Sequence, residues 1–174
     1  MIKLLPQNVK TLHMFPNKQN THVIDLAKKL GFHNHGGHTI LMFSNKYIGM
    51  PTNELAIELS QEYFQDFVNL HDTVFPNAYY KGKQIIRRLN KHRKVFIIKE
   101  NSSLCGYIYA EAEPDVSLSN IEFLAVDESQ RRKGIASRLL SIALKWLFSF
   151  DTINSITLCV NLKNDKAIKL YTNF

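Results

Sequence analysis

Residues 120–140 read NIEFLAVDESQRRKGIASRLL. An apolar stretch, Asn120 to Val126, gives way to a polar run from Asp127 to Lys133. After Gly134 come Ile135, Leu139, Leu140, Ile142, Ala143, Trp146 and Leu147. That spacing predicts a strand, a loop and a helix running from Gly134 to about Phe150. A helix N-terminus presents unpaired backbone N–H groups and a positive dipole end, which suit phosphate oxygens. Gly134 has no Cβ and lets an anion approach the backbone, and Ala136 keeps the next turn narrow. Arg131, Arg132 and Lys133 add positive charge at the same point. The stretch has no Gly-Lys-Ser/Thr ending and no G-x-G-x-x-G, so it is neither a Walker loop nor a dinucleotide fingerprint. On spacing alone, an ordinary basic strand-to-helix turn stays equally open.

Working outward, residues 59–74 carry Tyr63, Phe64, Phe67, Val68, Leu70 and Val74 on one helical face, and Pro76 ends that helix. A short basic helix is expected near Gln84 to Asn90. Lys94 to Lys99 and Leu104 to Ala112 read as a hairpin with Asn101-Ser102-Ser103 as its turn. Ser155 to Val160 reads as another strand, and a helix starts at Asn164. The pattern is α/β.

The 174 residues suit one ordinary domain, or one domain plus part of another. Apolar residues make up 45% and charged residues 21%, which excludes disorder over most of the length. No apolar run reaches the roughly 18 residues of a membrane span, and residues 1–6 are too short for a signal peptide. Only Cys105 and Cys159 are present, both in apolar surroundings, so a reduced, cytoplasmic protein is expected. The net charge of +7 favours anionic partners. The block Arg87 to Lys94 is read as solvated surface, and nucleic acid is not the expected partner. His33, His35 and His38 lack a fourth ligand and flank a turn, so no metal is expected.

The first residues repeat the last. Asn20-Thr21-His22-Val23-Ile24-Asp25-Leu26-Ala27 matches Asn164-Asp165-Lys166-Ala167-Ile168-Lys169-Leu170-Tyr171. Each follows an expected strand, at Val9 to Phe15 and at Ile156 to Val160. The first copy continues through Gly31-Phe32 to a further strand, His38 to Phe43.

The stretch Q-R-R-K-G-I-A resembles the Q/R-x-x-G-x-G/A signature of the GCN5-related N-acetyltransferase (GNAT) superfamily. I-E-F-L-A-V-D is similar to the strand that leads into it, and N-D-K-A-I-K-L-Y to the family's tyrosine helix. The resemblance covers residues 57–174. It implies an α/β (α+β) fold with a mixed, mostly antiparallel twisted sheet flanked by helices. It also implies acetyl-CoA as donor and a primary amine as acceptor. Residues 1–50 resemble the tail of a preceding GNAT domain, with Ala27 where Tyr171 stands. The family usually continues past the tyrosine helix with Gly-Phe and a last strand, which the 57–174 copy lacks. The expectation is that residues 1–50 pack on that copy, within one chain or as a homodimer by strand exchange. The stripe Val23, Ile24, Leu26, Ala27 and Leu30 is expected to be buried.

The resemblance also implies roles. Gln130, Arg131, Arg132, Lys133, Gly134, Ile135, Ala136 and Ser137 would bind the pyrophosphate, mostly through main-chain N–H groups. The backbone of Leu124, Ala125 and Val126 would pair with the pantetheine arm, with the Val126 N–H on the thioester oxygen. Asn164 would cap the last helix, bond the pantetheine arm, or both. Glu122, read as facing away from both Ile121 and Phe123, would take the proton of an incoming ammonium. Tyr171 would protonate the departing thiolate. Phe75, Tyr79 and Tyr80 would wall the acceptor. A non-catalytic acyl-CoA-binding member of the family is the alternative function.

Overall fold

The computed structural model describes residues 9, 12, 14–34, 36–44, 56–100 and 103–173. The chain forms two units, residues 1–36 and 37–174, each described by itself.

In the first unit, Asn20 caps helix α1 (Thr21–Lys29) by accepting the Val23 N–H at 3.2 Å. Gly31, at φ +84°, closes it, with the Phe32 N–H returning to the Ala27 carbonyl. The expected stripe is covered only in part. Ala27 is buried, but Leu26 and Leu30 are more than half exposed. The strand expected over 9–15 lies partly outside the described residues. Of those described, Val9, Leu12, Met14 and Phe15 are not in a strand.

The second unit is a six-stranded sheet with the order β1-β6-β5-β4-β3-β2. Its strands are β1 (His38–Phe43), β2 (Ala56–Glu58), β3 (Arg93–Glu100), β4 (Ser103–Glu113), β5 (Leu118–Val126) and β6 (Ile156–Asn161). All neighbours run antiparallel except β5 and β6. Helices α2 (Phe64–Val74) and α3 (Gly82–Arg88) belong to one core, with Phe67, Ile85, Val95, Ile97, Tyr107 and Tyr109. Helices α4 (Ile135–Leu147) and α5 (Asp165–Thr172) belong to the other, with Phe96, Ile108, Leu139, Leu140 and Leu144. The central strands read as near-continuous apolar runs because helices cover both their faces.

The expected elements recur with shifted ends. The first predicted helix begins as a 3₁₀ turn at Gln61–Tyr63 before α2, and the basic helix starts at Gly82. Strand β2 was hidden by its short length. His38–Phe43 is a strand, and it lies antiparallel on β6 within the same chain. Two expectations need correction. Cys159 is exposed, because its side chain alternates with the buried Leu158 and Val160. The block 87–94 is not wholly solvated. Arg88 reaches Glu111 through two bonds at 2.8 and 3.0 Å, and Arg93 reaches it at 3.0 Å. The turn residues Asn101 and Ser102 lie outside the described residues. Among those described, no helix is long and apolar enough to cross a membrane.

Gly106 on β4 faces the place where β5 meets α4. A Cβ there would sit 2.8 Å from the Ala125 carbonyl oxygen and 3.2 Å from Ile135 Cγ2. Gly106→Ala is therefore expected to destabilise the protein by about 1–3 kcal/mol. Urea unfolding should show a lowered midpoint at unchanged slope.

Candidate active site

Strand β5 has unequal neighbours. It pairs with β4 from Leu118 to Val126, but with β6 at two positions only, Asn120↔Thr157 and Ile121↔Leu158. Beyond Ile121 the two parallel strands part. The β5 backbone from Glu122 to Val126 then runs without β6 on that side.

The parting point coincides with a bulge. Tyr109 pairs with Phe123 and Ala110 with Ile121, which leaves Glu122 as the extra residue. This corrects the simple alternation read from the sequence. Ile121 packs in the α4 core and Phe123 in the α2 core, so the two do not share a face. The bulge turns Glu122 into a cleft of about 400 Å³, lined also by Ile40, Leu118, Asn120, Thr157 and Cys159. Its Oε1 accepts from the Asn120 amide at 2.5 Å, and its Oε2 accepts from the Tyr79 hydroxyl. Thr157 in turn donates to Asn120 Oδ1 at 3.2 Å. Burial pushes the Glu122 carboxyl above the usual carboxylate range.

At the other end of β5, Leu124 and Val126 are half-buried on the α4 side and Ala125 is buried on the α2 side. The Asp127 N–H donates to the Cys105 carbonyl at 2.9 Å, and its carboxylate caps the following turn through the Ser129 N–H at 2.9 Å. Arg132 and Gly134 both have left-handed backbone, at φ +66° and +75°. Gly134 is the N-cap of α4, and a Cβ there would meet open space. The first bond of the α4 ladder runs from the Arg138 N–H to the Gly134 carbonyl at 3.1 Å. The N–H groups of Ile135, Ala136 and Ser137 therefore have no acceptor within the helix. Gln130 is half-buried, while Arg131, Arg132 and Lys133 are exposed around this turn. Arg131 is tied to Glu128 at 3.2 Å, and Lys133 to Gln130 at 2.7 Å.

Tyr171 packs from α5 against the α4 core, the cluster that also receives Leu124 and Val126. Burial pushes its phenol up to about 12. Asn164 caps α5, its Oδ1 accepting the Ala167 N–H at 3.1 Å, as Asn20 does for α1.

The three loop aromatics divide. Tyr79 reaches Glu122, and its ring lies 5.3 Å from that of Phe123. Phe75 packs beneath, 5.2 Å from Phe123, and Tyr80 lies under the Arg88 guanidinium at 4.2 Å. Asn120 and Thr157 were missed. The only signal was the i, i+2 spacing of Asn120 and Glu122, and Thr157 comes from a distant strand. Among the described residues, no group of three or more His, Cys, Asp or Glu side chains could hold a metal, and His35 lies outside them.

The family model "Acetyltransferase (GNAT) family" matches residues 57–174. The chain belongs to the GNAT acetyltransferase family. Solved structures share the fold at low identity. A GNAT-family protein from Novosphingobium aromaticivorans is 12% identical over 79% of this chain, with TM-score 0.61, and this chain spans 60% of its length. Ard1 from Thermoplasma volcanium is 24% identical over 68% of this chain and 78% of its own, with TM-score 0.56. The enzyme AAC(6')-Iy, in complex with a bisubstrate analogue of CoA, is 15% identical over 68% of this chain and 86% of its own, with TM-score 0.57.

The raised Glu122 pKa has a stability consequence. The native state binds this proton more tightly than the unfolded chain does. The stabilisation from this group is therefore full below the unfolded pKa and lost as pH rises through the folded one. Above that point the ionised Glu122 carries its desolvation cost. Glu122→Gln is expected to raise Tm at neutral pH, and the gain should shrink as pH falls through the raised folded pKa and level off below the ordinary carboxylate value. Thermal unfolding across that range measures it.

Proposed function

We propose that this GNAT protein moves an acetyl group from acetyl-CoA to a primary amine by direct attack in a ternary complex. The early parting of β5 from β6 carries this reading, because it leaves a backbone edge leading from Glu122 straight to the N-terminus of α4. The complex of AAC(6')-Iy with a CoA-based bisubstrate analogue supports acetyl-CoA as the donor.

In this reading the pyrophosphate lies on the turn 130–137, held by the N–H groups that begin α4 and by the surrounding arginines and lysine. The pantetheine amides follow the Leu124–Val126 edge, and the Val126 N–H faces the thioester oxygen as it gains charge. The amine arrives as an ammonium in the cleft beside Glu122. Burial holds Glu122 nearer to neutrality than a surface carboxylate, which makes it a better proton acceptor. The ammonium first passes one proton to Glu122, which frees the nitrogen lone pair; the nitrogen then bonds to the acetyl carbon, the C–S bond breaks, and the nitrogen's second proton goes to the departing thiolate. Tyr171, fully protonated at neutral pH, offers its O–H to the departing thiolate. A phenol near 12 is a weaker acid than an ordinary thiol near 8.5, so its first role is hydrogen-bond stabilisation of that charge.

A thiol-release screen of acetyl-CoA against alkylamines, polyamines, amino sugars and N-terminal peptides tests the activity. No release above background with any of them would leave only acyl-CoA binding. With the fastest acceptor, Tyr171→Phe should lower kcat by about 10²-fold while acetyl-CoA affinity stays the same. Glu122→Gln should lose most rate at pH values below the amine's pKa but above that of Glu122, where the amine is protonated and the carboxylate can accept its proton. Gly134→Gln should weaken acetyl-CoA binding at least about tenfold, because it forces a side chain into left-handed backbone beside the phosphate. Calorimetry with unchanged affinity would remove the phosphate site from this turn.

A further inference from the structure

Tyr79 reaches Glu122, yet the residue is 65% exposed. It sits in the connection 75–81 between α2 and α3. What fixes that connection lies underneath. His71, fully buried in the last turn of α2, has Nε2 2.8 Å from the Tyr80 carbonyl oxygen and Nδ1 2.5 Å from the Tyr107 hydroxyl. A carbonyl can only accept, so Nε2 carries the hydrogen and Nδ1 accepts from the phenol. Burial lowers the His71 pKa and raises that of Tyr107, which keeps both groups neutral and the direction of the chain fixed. The next residue, Asp72, accepts the Gly82 N–H at 2.9 Å and tethers the far end of the connection. The His71 ring also stands edge-on to Phe123, 4.8 Å away at 89°. One side chain therefore touches the sequence neighbours of both members of the Tyr79–Glu122 pair.

We propose that His71 is a positioning residue. Through the Tyr80 carbonyl and the Phe123 ring it sets the Tyr79 hydroxyl against Glu122, and so fixes the carboxylate toward the incoming amine. This rests on Glu122 as the base. The charged and titratable groups around His71 are Asp72 on its own helix, Lys81 from the connection and Tyr107 from β4. Those around Glu122 are Tyr79 from the connection, Cys159 from β6, and Glu111 and Glu113 from β4, which line the same cleft.

A carboxyl-carbon NMR titration of Glu122 reads the effect without any acceptor. Tyr79→Phe removes a donor to the charged form and should move the Glu122 titration upward. His71→Leu should move it the same way, and should add nothing in the Tyr79→Phe background, because the hydroxyl it positions is gone. His71→Gln, whose amide can still donate to the Tyr80 carbonyl, should recover part of the shift. In turnover with acetyl-CoA and the fastest amine of the panel, His71→Leu should lose about tenfold in kcat/KM for the amine, with acetyl-CoA affinity within about twofold. If His71→Leu does not fold, Tyr107→Phe removes only the donor to Nδ1 and should give a smaller shift in the same direction. A wild-type Glu122 titration in the variant that folds, with only stability lowered, would show a packing histidine and overturn the proposal. Failure of the base assignment looks different. Wild-type turnover in Glu122→Gln removes both readings. An inactive Glu122→Gln beside unshifted titrations in the His71 and Tyr79 variants removes the positioning role alone.

Discussion

Strand β5 is bound along its whole length by β4 and at only two positions by β6. Two parallel strands that start together and part must leave main-chain donors and acceptors facing a gap. Burying such groups without partners costs too much for the gap to close on itself. Everything assigned to the site hangs from that gap. Glu122 sits where the strands part, the backbone of Leu124 to Val126 runs along the open side, and α4 begins where β5 ends. The bulge at Glu122 adds the change of face that keeps Ile121 in one core and Phe123 in the other.

The two strands also carry a contrast between carboxylates. Glu111 on β4 is nearly buried, which by itself would raise its pKa. Hydrogen bonds from Tyr109, Arg88 and Arg93 prevail and hold it below the usual range. It stays ionised and ties α3 to the sheet. Glu122 lines the same cleft, but its donors are an amide and a phenol, both neutral. Burial prevails there and the carboxyl is pushed up. Two chemically equal side chains titrate in opposite directions because one is matched with cations and the other is not. Arg88 extends the ion-pair side of this arrangement to the connection between α2 and α3, since its guanidinium also covers the Tyr80 ring.

The sheet's outer edge joins distant parts of the sequence. β1 brings Ile40 opposite Cys159 on β6, and both line the cleft that holds Glu122. A strand from the first quarter of the chain thus contributes to a cleft whose other lining residues lie beyond residue 110.

Local patterns were enough for much of this. The glycine at the start of α4, the asparagine caps of α1 and α5, and the alternating or continuous apolar runs of β1 and β3 to β6 each depend on residues within a few positions of one another. Such features are written in the sequence directly. Glu122 was legible as a candidate for the same reason, since its strand and its motif are contiguous. The bulge that aims it was not, because a bulge is a mismatch of register between two strands and needs both strands to be seen. The partners Asn120–Thr157, Tyr79–Glu122 and His71–Tyr107 depend on folding in the same way, as does the arginine pair on Glu111. They join residues that only the closed sheet and the packed helices bring within hydrogen-bond reach. Sequence alone determined most of the strands and helices, though not β2 and wrongly for the described part of 9–15, and it pointed to the glycine turn that opens α4. Tertiary structure decided which carboxylate is charge-paired and which is not, because pKa and orientation are set by neighbours in space.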